Sequence, residues 1–312
     1  MIVIFESVLP VFLLIAAGAV LRRSPIISET AWPGMEQLTY WFLYPALLFV
    51  SIYNADFSTL QLDALLAALL FCLFLMGALT LALWPAMRRS GIVAHSEYSS
   101  VFQTSIRWNA FIALPVAQAV FPPEGATVVA LTMAVIIIPI NIVSVFVVSR
   151  FANREMSLGR TFLRVALNPL IIGAGSAVLL RLAPFDLYQP INETLGLVGA
   201  AALGIGLLAI GANLRATDLA GMRGAVWLPV VIKLAVFPTV MIGVAKLLGI
   251  TGPQLQYLVL CAAVPTATNG YLLARQLGGD AELYAVVATL QTALSVLTLP
   301  AALTIAAQLS SG

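Results

Sequence analysis

Between Asp63 and Arg88 the chain carries no charged residue and a single hydroxyl, Thr80. A stretch that long and that apolar meets the ~20 residues an α-helix needs to cross a bilayer. In lipid every backbone donor and acceptor must be paired internally, so only helices and closed barrels span it. Comparable runs, punctuated by Gly, Pro and charge, fall near 3–21, 35–54, 62–87, 97–120, 126–149, 163–183, 192–213, 225–247, 254–276 and 282–308. The expected fold is an all-α integral membrane protein of about ten transmembrane helices.

Composition agrees. Apolar residues make up 61% of the chain and charged ones 9%, against roughly 25% charged in soluble domains. A net charge of +2 gives no reason to expect a nucleic-acid partner; the partner is the lipid bilayer. Cys72 and Cys261 sit in apolar runs and read as small packing residues, and the lone His95 lies near a basic loop. No metal site or cofactor is expected from such a set. Met1 to Leu21 contains Glu6 and no Lys or Arg, and Arg22 and Arg23 follow the apolar run; this reads as a first spanning helix, not a cleavable leader.

Basic residues set the expected orientation. Arg22, Arg23, Arg88, Arg89, Arg150, Arg154, Arg160, Arg164, Arg215, Arg223 and Arg275 follow odd-numbered runs, whereas only Arg181 and Lys246 follow even-numbered ones. The positive-inside bias then puts the odd loops in the cytoplasm and both termini outside. The halves also repeat: Pro10 matches Pro169, Asn109 matches Asn269 and Pro139 matches Pro300, each about 160 residues on. Five spans per half reverse the orientation of the second copy. The expected domains are therefore an inverted repeat of residues 1–155 and 156–312, an architecture of secondary carriers.

Two short runs carry the functional signal: Trp108-Asn109-Ala110-Phe111-Ile112 and Thr268-Asn269-Gly270-Tyr271-Leu272. Each lies in a spanning stretch with a proline nearby, Pro115 after the first Asn and Pro265 before the second. Proline removes a helical hydrogen bond, and an interrupted helix at membrane depth is tolerated where protein or a wet cavity surrounds it. The expected breaks run from Arg107 to Pro115 in the fourth span and from Pro265 to Asn269 in the ninth. If the two broken helices cross, their Asn side chains and half-helix N-termini converge on a place suited to a carboxylate. Interhelical bonding is the plainer role for one Asn; its recurrence beside proline in both halves favours binding.

Gln103, Thr266, Thr268 and Tyr271 add polar groups around these breaks, together with Gln291 and Thr292 in the last span. Arg107 and Lys233 are basic residues placed inside spans, where a cation costs at least ~2.5 kcal/mol unless it faces a partner or cavity. Both favour an anionic substrate. The acids Glu6, Glu36, Asp280 and Glu282 fall near span ends, so neither a proton carrier nor a sodium site is visible. Gly196, Gly199, Gly204, Gly206 and Gly211 give the seventh span a small face for close packing or sliding. The sequence shows neither G-x-S-x-G nor H-E-x-x-H and no placed acid–base pair, so no enzyme is expected.

Arg107-Trp108-Asn109 with Pro115, the segment from Pro265 to Arg275, Leu297-Thr298-Leu299-Pro300 and Tyr44-Pro45-Ala46-Leu47-Leu48 resemble the auxin efflux carrier family over essentially the whole chain. That family includes the plant PIN-formed carriers and bacterial members thought to carry malate, malonate and related acids; the larger grouping includes the bile-acid sodium symporters. The resemblance implies a ten-helix inverted repeat with a panel domain and a transport domain, crossing fourth and ninth spans, and Asn109 and Asn269 lining the substrate site beside crossover Pro115 and Pro265. Pro115 follows its Asn whereas Pro265 precedes its own, and the long central loop of the plant carriers is missing. The expected function is elevator-type secondary transport of small organic anions, such as auxin-like or dicarboxylic acids, by a bacterial inner-membrane homodimer. Sodium- or proton-coupled symport of a neutral or amphipathic solute is the alternative within transport, and a channel or membrane sensor the alternative outside it.

Overall fold

The computed structural model describes residues 2–54, 62–152, 159, 163, 166–184, 186–214, 224–268 and 270–310. Arg154, Arg160, Arg164, Arg215, Arg223 and Asn269 lie outside the described residues. Within them the chain is helical and no strand occurs. Six helices are long and apolar enough to cross a membrane: Ile2–Arg23, Asp63–Ser90, Pro123–Phe151, Gln189–Ala212, Gly224–Leu247 and Ala281–Ser310.

In chain order the elements are α1 (Ile2–Arg23), α2 (Ala31–Leu38), a π-helical turn (Thr39–Leu43), α3 (Tyr44–Tyr53), α4 (Leu62–Ser90), α5 (His95–Ile106), α6 (Ala110–Val120), α7 (Pro123–Phe151), α8 (Pro169–Arg181) and α9 (Gln189–Ala212). The remainder are α10 (Gly224–Val231), a second π-helical turn (Ile232–Val236), α11 (Phe237–Leu247), α12 (Gly252–Ala263), α13 (Gly270–Leu277) and α14 (Ala281–Ser310). Local chemistry sets several ends. Arg88 and Arg89 occupy the last turn of α4, where a cation complements the helix dipole, and Gly91 at φ 67° turns the chain away. Asn168 caps α8, its Oδ1 accepting from the backbone N–H of Leu170 at 2.9 Å.

The two π turns share a pattern. Each is followed by an aromatic residue and then proline: Tyr44-Pro45 after the first, Phe237-Pro238 after the second. A proline ring in a regular helix collides with the carbonyl four residues back. Widening the preceding turn relieves that collision, so the chain continues along one axis.

The helices sort into two bodies. In the first, α1, α2, α3 and α8 gather around α9 and one another. In the second, α4, α5, α7 and α10 to α14 pack together, with the short α6 held against α7 and α12 at the edge that meets the first body. Contact between the bodies runs through α1 with α6 and α14, α3 with α7, α9 with α6, and α7 with α8.

The first body is closed by direct backbone approach. A Cβ on Gly18 of α1 would strike the backbone of Leu208, and one on Gly211 of α9 would strike that of Ile15. These two glycines let α1 and α9 touch main chain to main chain, the means by which helices associate where lipid supplies no hydrophobic drive. Gly199 and Gly206 face Leu47 and Tyr44 within the same body, whereas Gly196 and Gly204 meet open space. Much of the small face of α9 is thus packed inside one body.

Candidate functional site

Two helical paths in the second body are interrupted. The first breaks at Arg107 to Asn109, between α5 and α6, and the second between α12 and α13. The two half-helices that lead into the breaks have equal length, 12 residues each. At the second break Val264, which precedes Pro265, takes extended geometry (φ −62°, ψ 146°) and ends α12, as steric pressure from the proline ring on the preceding residue requires. At the first break the expectation is corrected. Pro115 lies inside α6, and the break is shorter and lies ahead of it. Asn109 starts the new helix instead, its Oδ1 accepting from the backbone N–H of Phe111 at 3.1 Å.

The breaks touch. Asn109 Nδ2 donates to the carbonyl of Thr266 at 3.3 Å, so one fully buried amide caps α6 and ties the first break to the second. Thr266 is held on every side. Its backbone N–H donates to Gln291 Oε1 at 2.9 Å, and its Oγ1 lies 3.1 Å from the Tyr284 hydroxyl, which also donates to the Ala267 carbonyl. Gln291 Nε2 donates in turn to the carbonyls of Thr104 and Pro229, both at 3.0 Å. One side chain of α14 therefore pairs backbone groups from the second break, the end of α5 and α10. Unpaired, each would carry the desolvation cost of a buried polar group.

Beside this knot lies a cavity of about 600 Å³ between the two bodies. The first body contributes Glu36, Thr39, Tyr40, Asn168 and Asn213; the second contributes Arg107, Asn141, Thr268, Tyr271, Tyr284 and Thr289. Arg107 caps α5 with its backbone N–H on the Gln103 carbonyl, and its Nη2 donates to Asn141 Oδ1 at 3.1 Å. A guanidinium so placed presents a fork of donors suited to a carboxylate.

The candidate residues separate by position. Arg107, Thr268 and Tyr271 line the cavity. Asn109 and Thr266 are fully buried in the knot behind it, and Asn269 lies outside the described residues. Gln103 is fully buried on α5 and its side-chain amide meets no hydrogen-bond partner among the described residues, yet it does not line the cavity. Lys233, on the second π turn, is also away from the cavity wall. Its Nζ donates to the carbonyl of Ala262 at 2.9 Å and sits 4.4 Å from the Phe237 ring centroid and 5.4 Å from that of Trp108. It supplies a hydrogen-bond donor to the C-terminal end of half-helix α12, where carbonyls lack helical partners.

Asn141, Tyr284, Tyr40 and Asn213 were not singled out from the sequence. Asn141 carried a usable signal: an amide two residues past Pro139 in an otherwise apolar run. The others stand at helix ends or among aromatics and look like ordinary boundary residues.

Residues 153–303 match the family described as membrane transport protein. The chain is also similar to an uncharacterized transporter of Methanothermobacter thermautotrophicus, with 22% identity over 311 residues covering 95% of this chain and 96% of that protein.

Proposed function

We propose that the chain, whose residues 153–303 match the membrane transport protein family, is a secondary carrier of small organic anions working by alternating access. The observation that carries this reading is Arg107: a 5%-exposed guanidinium at the first helix break, lining a cavity between two separately packed bodies. An anion entering that cavity gains a charge-assisted pair in a setting where water screens it little.

In this reading the ten expected spans form an inverted repeat of residues 1–155 and 156–312, with the fourth and ninth spans broken and crossing. The matched half-helices α5 and α12 and the Asn109–Thr266 bond between the breaks support it. The first body, locked by Gly18 and Gly211, acts as the fixed panel, and the second carries Arg107 and the substrate across in an elevator stroke. Both termini face outward in a bacterial inner membrane, and the carrier works as a homodimer.

The test is uptake into proteoliposomes of labelled mono- and dicarboxylates, with and without proton and sodium gradients. Saturable uptake that Arg107→Gln reduces at least ~10-fold in kcat/KM supports the carrier. Flux that rises without saturation, or uptake indifferent to Arg107→Gln, refutes it.

A further inference from the structure

Among the described residues lining the cavity, two are charged, and they have opposite sign. Arg107 belongs to the second body, and Glu36, on α2, belongs to the first. Glu36 is held in place: its Oε1 accepts from Asn213 Nδ2 at the end of α9. The rest of the wall mixes amides and hydroxyls with aromatic and aliphatic surface, the latter from Trp41, Phe111, Val145, Ile210, Leu272 and Leu273. Glu36 stands four residues before Tyr40, which lines the same space, so their backbones are offset by a rise of ~6 Å along the helix.

We propose that the occupant is a zwitterion, a small amino carboxylate whose carboxylate pairs with Arg107 and whose ammonium pairs with Glu36. The inference rests on the carrier reading above and keeps its carboxylate at Arg107, but replaces the net anion with an occupant whose ammonium balances that charge. Charge inventory drives it. A plain monocarboxylate satisfies Arg107 and leaves Glu36 facing an apolar tail. A dicarboxylate brings a second negative charge toward Glu36, and like charges in a partly enclosed site repel more strongly than in water. An ammonium there reverses the sign of that interaction and adds charge-assisted hydrogen bonds.

The placement of the two charges on different bodies adds a mechanical reason. A molecule with one charged end is drawn to one wall only. A zwitterion spans both, so its binding energy favours the state in which the two bodies approach, which is differential affinity between conformations. Such an occupant also carries no net charge through the bilayer, where an unpaired ion is costly.

The experiment compares sets of three molecules of matched shape on the full chain in proteoliposomes: an amino acid, the same chain with methyl in place of ammonium, and the same chain with carboxylate in its place. γ-Aminobutyrate, valerate and glutarate form one set; shorter and α-substituted amino acids form the others. The best amino acid is expected to exceed both of its counterparts at least ~10-fold in kcat/KM. Glu36→Gln, which keeps an oxygen for Asn213, is expected to shrink that ratio to about twofold or less. Ligand-induced shifts in melting temperature, read on the same sets, give the ranking without a variant. A wild type that prefers valerate- or glutarate-type molecules overturns the zwitterion while leaving the anion carrier standing. A preference for amino acids that survives Glu36→Gln also overturns it. No carboxylate uptake under any gradient overturns the carrier reading and the zwitterion together.

Discussion

The Tyr44 hydroxyl donates to the Phe111 carbonyl at 3.1 Å, joining the first body to the second where proline has removed the regular partner. In an unbroken helix the carbonyl of Phe111 would receive the N–H of residue 115, and Pro115 has none. Tyr44 is fully buried and follows the first π turn, and its ring stands edge-on to Phe111 with centroids 3.9 Å apart. Tyr44→Phe keeps the ring and strands the carbonyl, a loss of ~1–3 kcal/mol. A melting temperature lowered by several degrees in detergent is the expected result. Pro115→Ala restores an N–H inside α6, so the double variant should recover much of that loss; simple additivity of the two effects would sink the account.

Gln291 makes a second prediction, because it pairs three backbone groups at once. Gln291→Leu has similar volume and no polar atoms, leaving Thr266 N–H and the carbonyls of Thr104 and Pro229 without this partner. The expected loss is roughly 3 kcal/mol or more, summing ~1 kcal/mol or more for each stranded group. Thermal unfolding of the purified variant measures it, and a shift of under a degree would show that the break is held by other means.

Gly211 and Gly204 lie on one helix and should behave oppositely. A Cβ at Gly211 meets the backbone of Ile15, which cannot yield without moving α1, while a Cβ at Gly204 meets nothing within 4 Å. Gly211→Ala should therefore cost ~1–3 kcal/mol through overpacking. Gly204→Ala should be neutral or gain up to ~1 kcal/mol from helix propensity. Yield and melting temperature of the pair, measured side by side, separate a locked α1–α9 contact from a loose one.

These residues also show how far the sequence could be read. Pro265 marked a place where a helical hydrogen bond must be lost, and in the structure its ring acts one residue earlier, where Val264 leaves helical geometry. The break near Arg107 was legible in place but not in cause. Pro115 drew attention to the wrong end, whereas Asn109 opens the helix by capping and Tyr44, far away in sequence, absorbs the effect of the proline. Which helix joins which body was not legible from the residues themselves, because it depends on which neighbour each glycine of α9 meets. Gly211 and Gly204 are the same letter seven residues apart. Lys233 shows the limit for charge: a lysine inside an apolar run signals a partner, but whether the partner is a ligand or a carbonyl depends on the fold.

Arg107 and Lys233 then give the sharpest contrast among the predictions. Both are buried, yet Arg107 lines the cavity and Lys233 caps the end of α12 through Ala262. Arg107→Gln removes the positive charge a carboxylate would meet, so KM should rise at least ~10-fold, equivalent to ~1.4 kcal/mol, with little change in folding. Lys233→Met removes the donor to Ala262 and keeps the bulk, so stability should fall by ~1–3 kcal/mol. The KM of the protein that still folds should stay within about twofold, since uniform binding is untouched when no ligand contact is lost. Proteoliposome kinetics normalised to folded protein, read beside melting curves, check both halves. A large KM change in Lys233→Met with unaltered melting would move that lysine from the scaffold to the substrate path.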